Sequence, residues 1–332
     1  MTTDNPYVLK SYRYLRLVMV GLVILLAISV LIEVQQSGPG CWRTSISSYY
    51  WTPVRGVFIG ALVSIGVCLI VLKGNTAIED LLLNVAGALA PVVAFVPILD
   101  PKECQSTPWA ADADARANIF NNVGALLIAG LIATAVAWWV ARREGKGRLT
   151  RADLVGIVVT VGLVAAGIGL FLWARDFFDR WAHYLAAIPL FALLVAVMVV
   201  NAVSYGRTTA ADEGRRQVRR ADLANRYLVL ALATVGLVAV MGLVSWRLPW
   251  RHGTFWIEVV VIGAFALFWV FQTQELWNEE EGLRPDPEGV LAAAEPSGAG
   301  STSAGSASAD STSAGSASAD STSARSASAD ST

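Results

Sequence analysis

The chain has 332 residues, of which 55% are hydrophobic and only 15% charged, and its formal net charge is −1. A soluble domain carries about 25% charged residues, so this composition, with a mean hydropathy of +0.53, excludes an ordinary water-soluble globule. The net charge of −1 carries no message about nucleic acid; the distribution of charge along the chain carries the message instead.

The first residues, MTTDNPYVLKSYRYLR, are basic and precede an apolar run. The Glu33-Val34-Gln35-Gln36 sequence that follows offers no small-residue cleavage site, so the run is expected to stay as a membrane anchor rather than be removed. Eight apolar runs follow in order: Leu17–Glu33, Val54–Leu72, Leu81–Leu99, Ile119–Val140, Leu154–Trp173, Ala182–Val203, Tyr227–Trp246 and Thr254–Phe271. At about 1.5 Å rise per residue, each approximates the hydrocarbon thickness of a bilayer. The first run is the shortest and is expected to borrow Tyr14 to Arg16, with the arginine snorkelling towards the interface. The expected fold class is therefore all-α: a polytopic bundle of eight transmembrane helices over residues 1–278.

Basic residues set the orientation. With the amino terminus in the cytoplasm, 17 Lys and Arg fall in inner segments and 8 in outer ones. Both termini are then cytoplasmic, in the plasma membrane of a bacterium, a source suggested by 21 Arg against 4 Lys. The aromatic residues Tyr49, Tyr50, Trp51, Trp173, Trp181, Trp246, Trp250 and Trp256 all fall at outer boundaries, where rings favour the headgroup level. From Glu279 the composition changes. A ten-residue repeat, STSAGSASAD at 301 and 311 and STSARSASAD at 321, has no large apolar side chain to offset its ordering entropy, and 279–332 is expected to be a disordered tail.

Helices in lipid associate through close approach and polar pairing. Gly56, Gly60, Ser64 and Cys68 recur every four residues on the second run, and Ala125, Ala129, Ala133 and Ala137 on the fourth. Both read as packing stripes. Asp80, Asn84, Gly87 and Pro91 share a face of the third. Cys41 and Cys104 fall in outer loops, where an oxidising compartment favours a disulfide, and Cys68 reads as a buried packing residue.

Charged groups at membrane edges are the candidate functional positions. Arg55 has Glu33 and Asp100 as expected partners. Glu79 and Asp80 open the third helix, where its dipole favours acidic groups. Arg175, Asp176, Asp179, Arg180 and His183, with Arg251, His252 and Glu258, form an outer cluster that reads as an interfacial salt-bridge set. Asp179, His183, His252 and Glu258 as a zinc site is the alternative. No charge lies deep in any run, which argues against an ion-coupled pump, and no P-loop, HExxH, GxSxG or CxxC occurs.

The segment containing Ser45, Ser47, Ser48, Tyr49 and Tyr50, then Arg55, Phe58 and Gly60, then Glu79, Asp80, Leu83 and Asn84, resembles a group of actinobacterial multi-spanning membrane proteins of unknown function. More distantly, with His183 opening a helix, Ala186-Ala187 following and an aromatic at Phe191, the chain over residues 10–205 is similar to the DRAM-like six-helix membrane proteins. The resemblance implies a membrane helix bundle, puts weight on Arg55, Glu79, Asp80, Asn84 and His183, and implies no activity.

The expected function is that of a non-enzymatic integral membrane protein that interacts with lipids or with an unidentified protein, with no nucleic acid and no cofactor. One alternative is a transporter or channel for a small or amphipathic molecule, with an outer vestibule bounded by Tyr49, Tyr50, Arg55, Asp100 and His183. A third is a metal-dependent membrane hydrolase.

Overall fold

Apolar runs that cannot solvate their own backbone in lipid must close every hydrogen bond internally, and helices are the local solution. The structure, a computed structural model, describes residues 6–38, 41–98, 112–143, 151–277, 279 and 283–294, and these residues form helices joined by turns without strands. The helices are α1 (Pro6–Gln36), α2 (Arg55–Val71), α3 (Ala77–Phe95), α4 (Asp112–Arg143), α5 (Arg151–Trp173), α6 (Arg175–Asp212), the single turn α7 (Arg220–Leu223), α8 (Arg226–Arg247), α9 (Gly253–Glu275) and α10 (Pro287–Ala294). Seven of them are long and apolar enough to cross a membrane. The sequence divides the chain into eight such runs; α2, at 17 residues, is the short one.

The helices outrun the apolar segments at several ends. α1 begins at Pro6, taking in the basic amino-terminal stretch, and α6 runs for 38 residues, or about 57 Å at the α-helical rise, well past a bilayer core. Among the described residues, α1, α2, α3, α6, α8 and α9 pack in a ring, each on the next and α9 back on α1, while α4 and α5 lie against α3 and α6. The ring's core is filled by Met19, Leu69, Leu83, Leu190, Met198, Phe268 and Trp269. Large apolar side chains on the outside, among them Ile188, Val229, Leu232 and Phe120, are exposed, as lipid-facing residues should be.

The tight crossing is not where the small-residue stripe suggests. Gly56, Gly60 and Ser64 are exposed, as are Ala125, Ala129 and Ala133; the side chain of Ala137 lies outside the described residues. α2 instead meets α3 at Gly66 and Gly87. A Cβ on Gly87 would stand 2.6 Å from the Gly66 carbonyl oxygen, and one on Gly66 would stand 2.7 Å from that of Gly87. The four-residue period fixes a face but not which face meets a neighbour, and Gly66 lies off the stripe. Gly87→Ala is expected to cost about 1–3 kcal/mol, because the obstructing atom is backbone and the helices must part. Gly60→Ala, in open space, is expected to be close to neutral, and thermal melts of the two variants in detergent check both.

The first compact unit runs from Met1 to Ala294. The bundle therefore extends past the boundary at 278 suggested by composition: Arg284 and α10, placed by the sequence in the tail, belong to it. The second unit, Glu295–Thr332, lies outside the described residues, and the expected disorder there goes with it.

Candidate functional site: two buried carboxylate clusters

Each end of the ring is organised around buried carboxylate. At one end the segment Thr44–Trp51 folds over the start of α9. The Phe255 amide donates to the Thr44 carbonyl at 2.8 Å. Glu258, in the second turn of α9, accepts from Ser45 Oγ at 2.9 Å, from the Ile46 amide at 2.5 Å and from Ser47 Oγ at 3.1 Å. That carboxylate anchors a 3-10 turn, Ser47–Trp51, whose aromatic rings pack on Leu26, Val30, Phe58 and Phe255. Tyr49, Tyr50 and Trp51 are 1%, 1% and 3% exposed. Instead of facing outward at a lipid interface, the three rings pack inward into the apolar cluster at this end of the bundle. Trp173 and Trp246, by contrast, are exposed.

Arg55 lies beside the Tyr50 ring. Its guanidinium donates to the Tyr50 hydroxyl at 2.8 Å and stacks over the same ring at 4.5 Å. Burial pushes the Tyr50 phenol above its ordinary range, and the adjacent Arg55 draws part of that shift back. Arg55 is thus held by Tyr50 and not by Glu33, which accepts from Ser37 Oγ at 2.8 Å. Its other expected partner, Asp100, lies outside the described residues. Cys41 is disulfide-bonded, Cys68 is a buried free thiol, and Cys104 lies outside the described residues. Non-reducing peptide mapping is expected to return a Cys41–Cys104 cross-linked pair; recovery of both as free thiols would exclude it.

His183 and Asp179 lie on α6 and serve structural contacts. His183 is buried and donates Nδ1–H to the Val96 carbonyl at 2.7 Å, so it closes the carboxyl end of α3. Asp179 accepts from Arg175 Nε at 2.9 Å, and Arg175 in turn stacks on Phe171. The Arg116–Asp176 pair between α4 and α6, at 4.0 Å and well exposed, adds little. His252 stacks on Trp42 at 4.8 Å between ring centroids. The four-residue zinc reading therefore fails: each member has a separate structural contact, and no group of three or more His, Cys, Asp or Glu among the described residues is placed to hold a metal.

The opposite end carries the larger network. Thr76 caps α3 by accepting the Glu79 amide at 3.1 Å, and Asp80 accepts the Gly74 amide at 2.6 Å. This leaves the Glu79 side chain free to turn inward. It is fully buried and accepts from Asn201 Nδ2 on α6 at 2.8 Å and Gln272 Nε2 on α9 at 3.3 Å, while its other oxygen takes the Asn75 amide at 2.8 Å. Arg16 of α1 is 1% exposed and lies within the field of Glu79 and Glu275; it does not snorkel. Asn84, one turn on from Asp80, is exposed and stands apart from the network.

Glu275, at the end of α9, is held by three neighbours. Arg226 Nη2 donates at 3.0 Å, Tyr227 Oη donates to the same oxygen, and Arg284 reaches the other oxygen at 2.5 Å. Arg284 also donates to Asn201 Oδ1 at 2.9 Å, and its backbone amide donates to Asn75 Oδ1 at 2.9 Å. Burial alone would lower the Arg284 pKa, but Glu275 outweighs it and holds the guanidinium more firmly protonated than usual. Sequence reasoning singled out Glu79 and missed Arg16, Asn201, Tyr227, Gln272, Glu275 and Arg284. Asn201, a polar amide inside the sixth apolar run, was the available signal, since such a group needs a partner in lipid.

No family model, curated protein or solved structure matches the chain. The site must be read from its own chemistry.

Proposed function

We propose that the chain is a non-enzymatic integral protein of a bacterial plasma membrane that crosses the bilayer eight times, keeps both termini in the cytoplasm and interacts with lipids or with another protein. The crossing count includes α2. Its 17 residues span about 25 Å, close to the hydrocarbon thickness of about 30 Å, and it packs along the membrane-length helices α1 and α3. Eight crossings put the Glu258 end outside and the Glu79 end inside, next to the arginine-rich links that favour the cytoplasm.

The observation that carries the reading is the closed interior. Tyr49, Tyr50 and Trp51 fill one end, the Glu79–Glu275 network ties the other, and Leu69, Leu83, Leu190, Phe268 and Trp269 pack between them. Among the described residues the side chains buried between the two ends are mainly apolar, with Thr234 on α8 bonded back to its own helix, which supports an interaction role over alternating access. The inward packing of Tyr49 and Tyr50 weighs against the transport reading, and the separate contacts of Asp179, His183, His252 and Glu258 weigh against the hydrolase reading.

Purified protein in liposomes is expected to pass no more ions or small solutes than empty liposomes. In detergent it is expected to retain a lipid profile distinct from the bulk extract, with Arg55→Ala as the comparison. Solute flux above the empty-vesicle level would overturn the reading.

A further inference from the structure

Arg284 enters the network from outside the helices that build it. The other members of the cup also have bonds in which Arg284 takes no part. Glu275 remains bonded to Arg226 and Tyr227, and Asn201 remains bonded to Glu79 and Gln272. The rings of Tyr227 and Tyr205 face the guanidinium at 5.2 and 5.9 Å, a carboxylate-and-aromatic surround of the kind that attracts planar cations. One more acceptor, Gln272 Oε1, is fully buried in the same network with no partner. A cavity of about 140 Å³ opens beside Arg284 and Glu275, and Asp212 and Glu279 stand in its wall.

We infer that the cup formed by Glu275, Asn201, Tyr205 and Tyr227 is a guanidinium-binding site, occupied in this structure by the chain's own Arg284 and approached through the acidic cavity beside it. The planar fork of the ligand takes the two positions Arg284 now fills, on Glu275 Oε1 and Asn201 Oδ1, while its tail lies in the cavity. Displacing Arg284 would leave the Leu283–Ala294 segment without its side-chain anchor at Glu275 and Asn201 and give the bundle a ligand-dependent change. The inference deepens the proposed interaction role by naming the chemistry that is recognised, and it rests on that reading.

The test uses the full chain in detergent with ethylguanidinium chloride as probe and sodium chloride at equal concentration as reference. Arg284→Ala is expected to melt lower than the parent protein. Ethylguanidinium should raise its melting temperature along a saturating curve, by about 5 °C at about a hundred-fold excess over the dissociation constant. Glu275→Gln/Arg284→Ala should respond no more than to salt. The peptide Leu-Arg-Pro-Asp-Pro, copied from residues 283–287, distinguishes the sources: half-saturation at lower concentration than ethylguanidinium assigns the site to a protein partner's arginine, and an equal value assigns it to a small guanidinium compound. A response of Arg284→Ala no greater than to salt, or an equal response in the double variant, overturns the inference. Should Arg284→Ala fail to fold, hydrogen exchange of residues 283–294 in the parent protein decides. Faster exchange in millimolar ethylguanidinium than in salt supports displacement, and unchanged exchange overturns it. This thermal response is independent of solute flux, so failure here and failure of the sealed-bundle reading are separately visible.

Discussion

Glu275→Ala lowers the unfolding free energy by about 3–5 kcal/mol, the cost of removing one partner from a buried charge pair. The Arg284 side chain is 3% exposed, so deleting its carboxylate leaves a guanidinium with little access to water. Tyr227 loses an acceptor in the same step. Arg226 is 34% exposed and relieves part of its own cost by turning to solvent. The effect is therefore centred on Arg284, and Glu275→Ala/Arg284→Ala is expected to recover part of the loss. Thermal melts of the two single variants and the double variant in detergent give the coupling directly. Additive losses would show that the pair does not act as a unit.

Glu258→Ala is the second large loss, and its location differs. The carboxylate satisfies Ser45 Oγ, Ser47 Oγ and the Ile46 amide, all buried. Each buried donor left without an acceptor costs about 1–3 kcal/mol. The hydroxyls can rotate to other acceptors and the backbone amide cannot, so about 2–4 kcal/mol is expected in total. The loss should be local, releasing the Ser47–Trp51 turn so that Tyr49, Tyr50 and Trp51 become accessible while the Glu79 end stays intact. Hydrogen exchange is the readout: segment 44–54 should lose protection and segment 75–80 should not. Glu258→Gln keeps the shape and one acceptor oxygen, and should fall between the two.

These residues also show how far the sequence could be read. The apolar runs placed the long helices because lipid demands an uninterrupted stretch of about 20 apolar residues, and α5, α8 and α9 follow them closely. The ends were less legible. α6 continues to Asp212 because helix persistence past the bilayer depends on packing and not on hydropathy. Arg16 and Arg284 look like ordinary cytoplasmic positive charges by position, and only the fold shows that they turn inward. Ser45 and Glu258 are separated by 213 residues, beyond any local pattern. The Ser-rich turn looked like an interface marker because Tyr and Trp favour headgroups; buried against Phe255 they serve the core instead. Glu79 was legible as a helix-opening acid, while the inward turn of its side chain depends on Asn201 and Gln272 arriving from α6 and α9.

The two carboxylate clusters face opposite sides of the membrane only if α2 crosses beside α3 despite its length. Paired topology reporters fused after Gly214 and after Arg251 test this most directly. The cytoplasmic reporter should be active at Gly214 and the exported reporter at Arg251. Activity of the same reporter at both positions, or the reverse assignment, would contradict it.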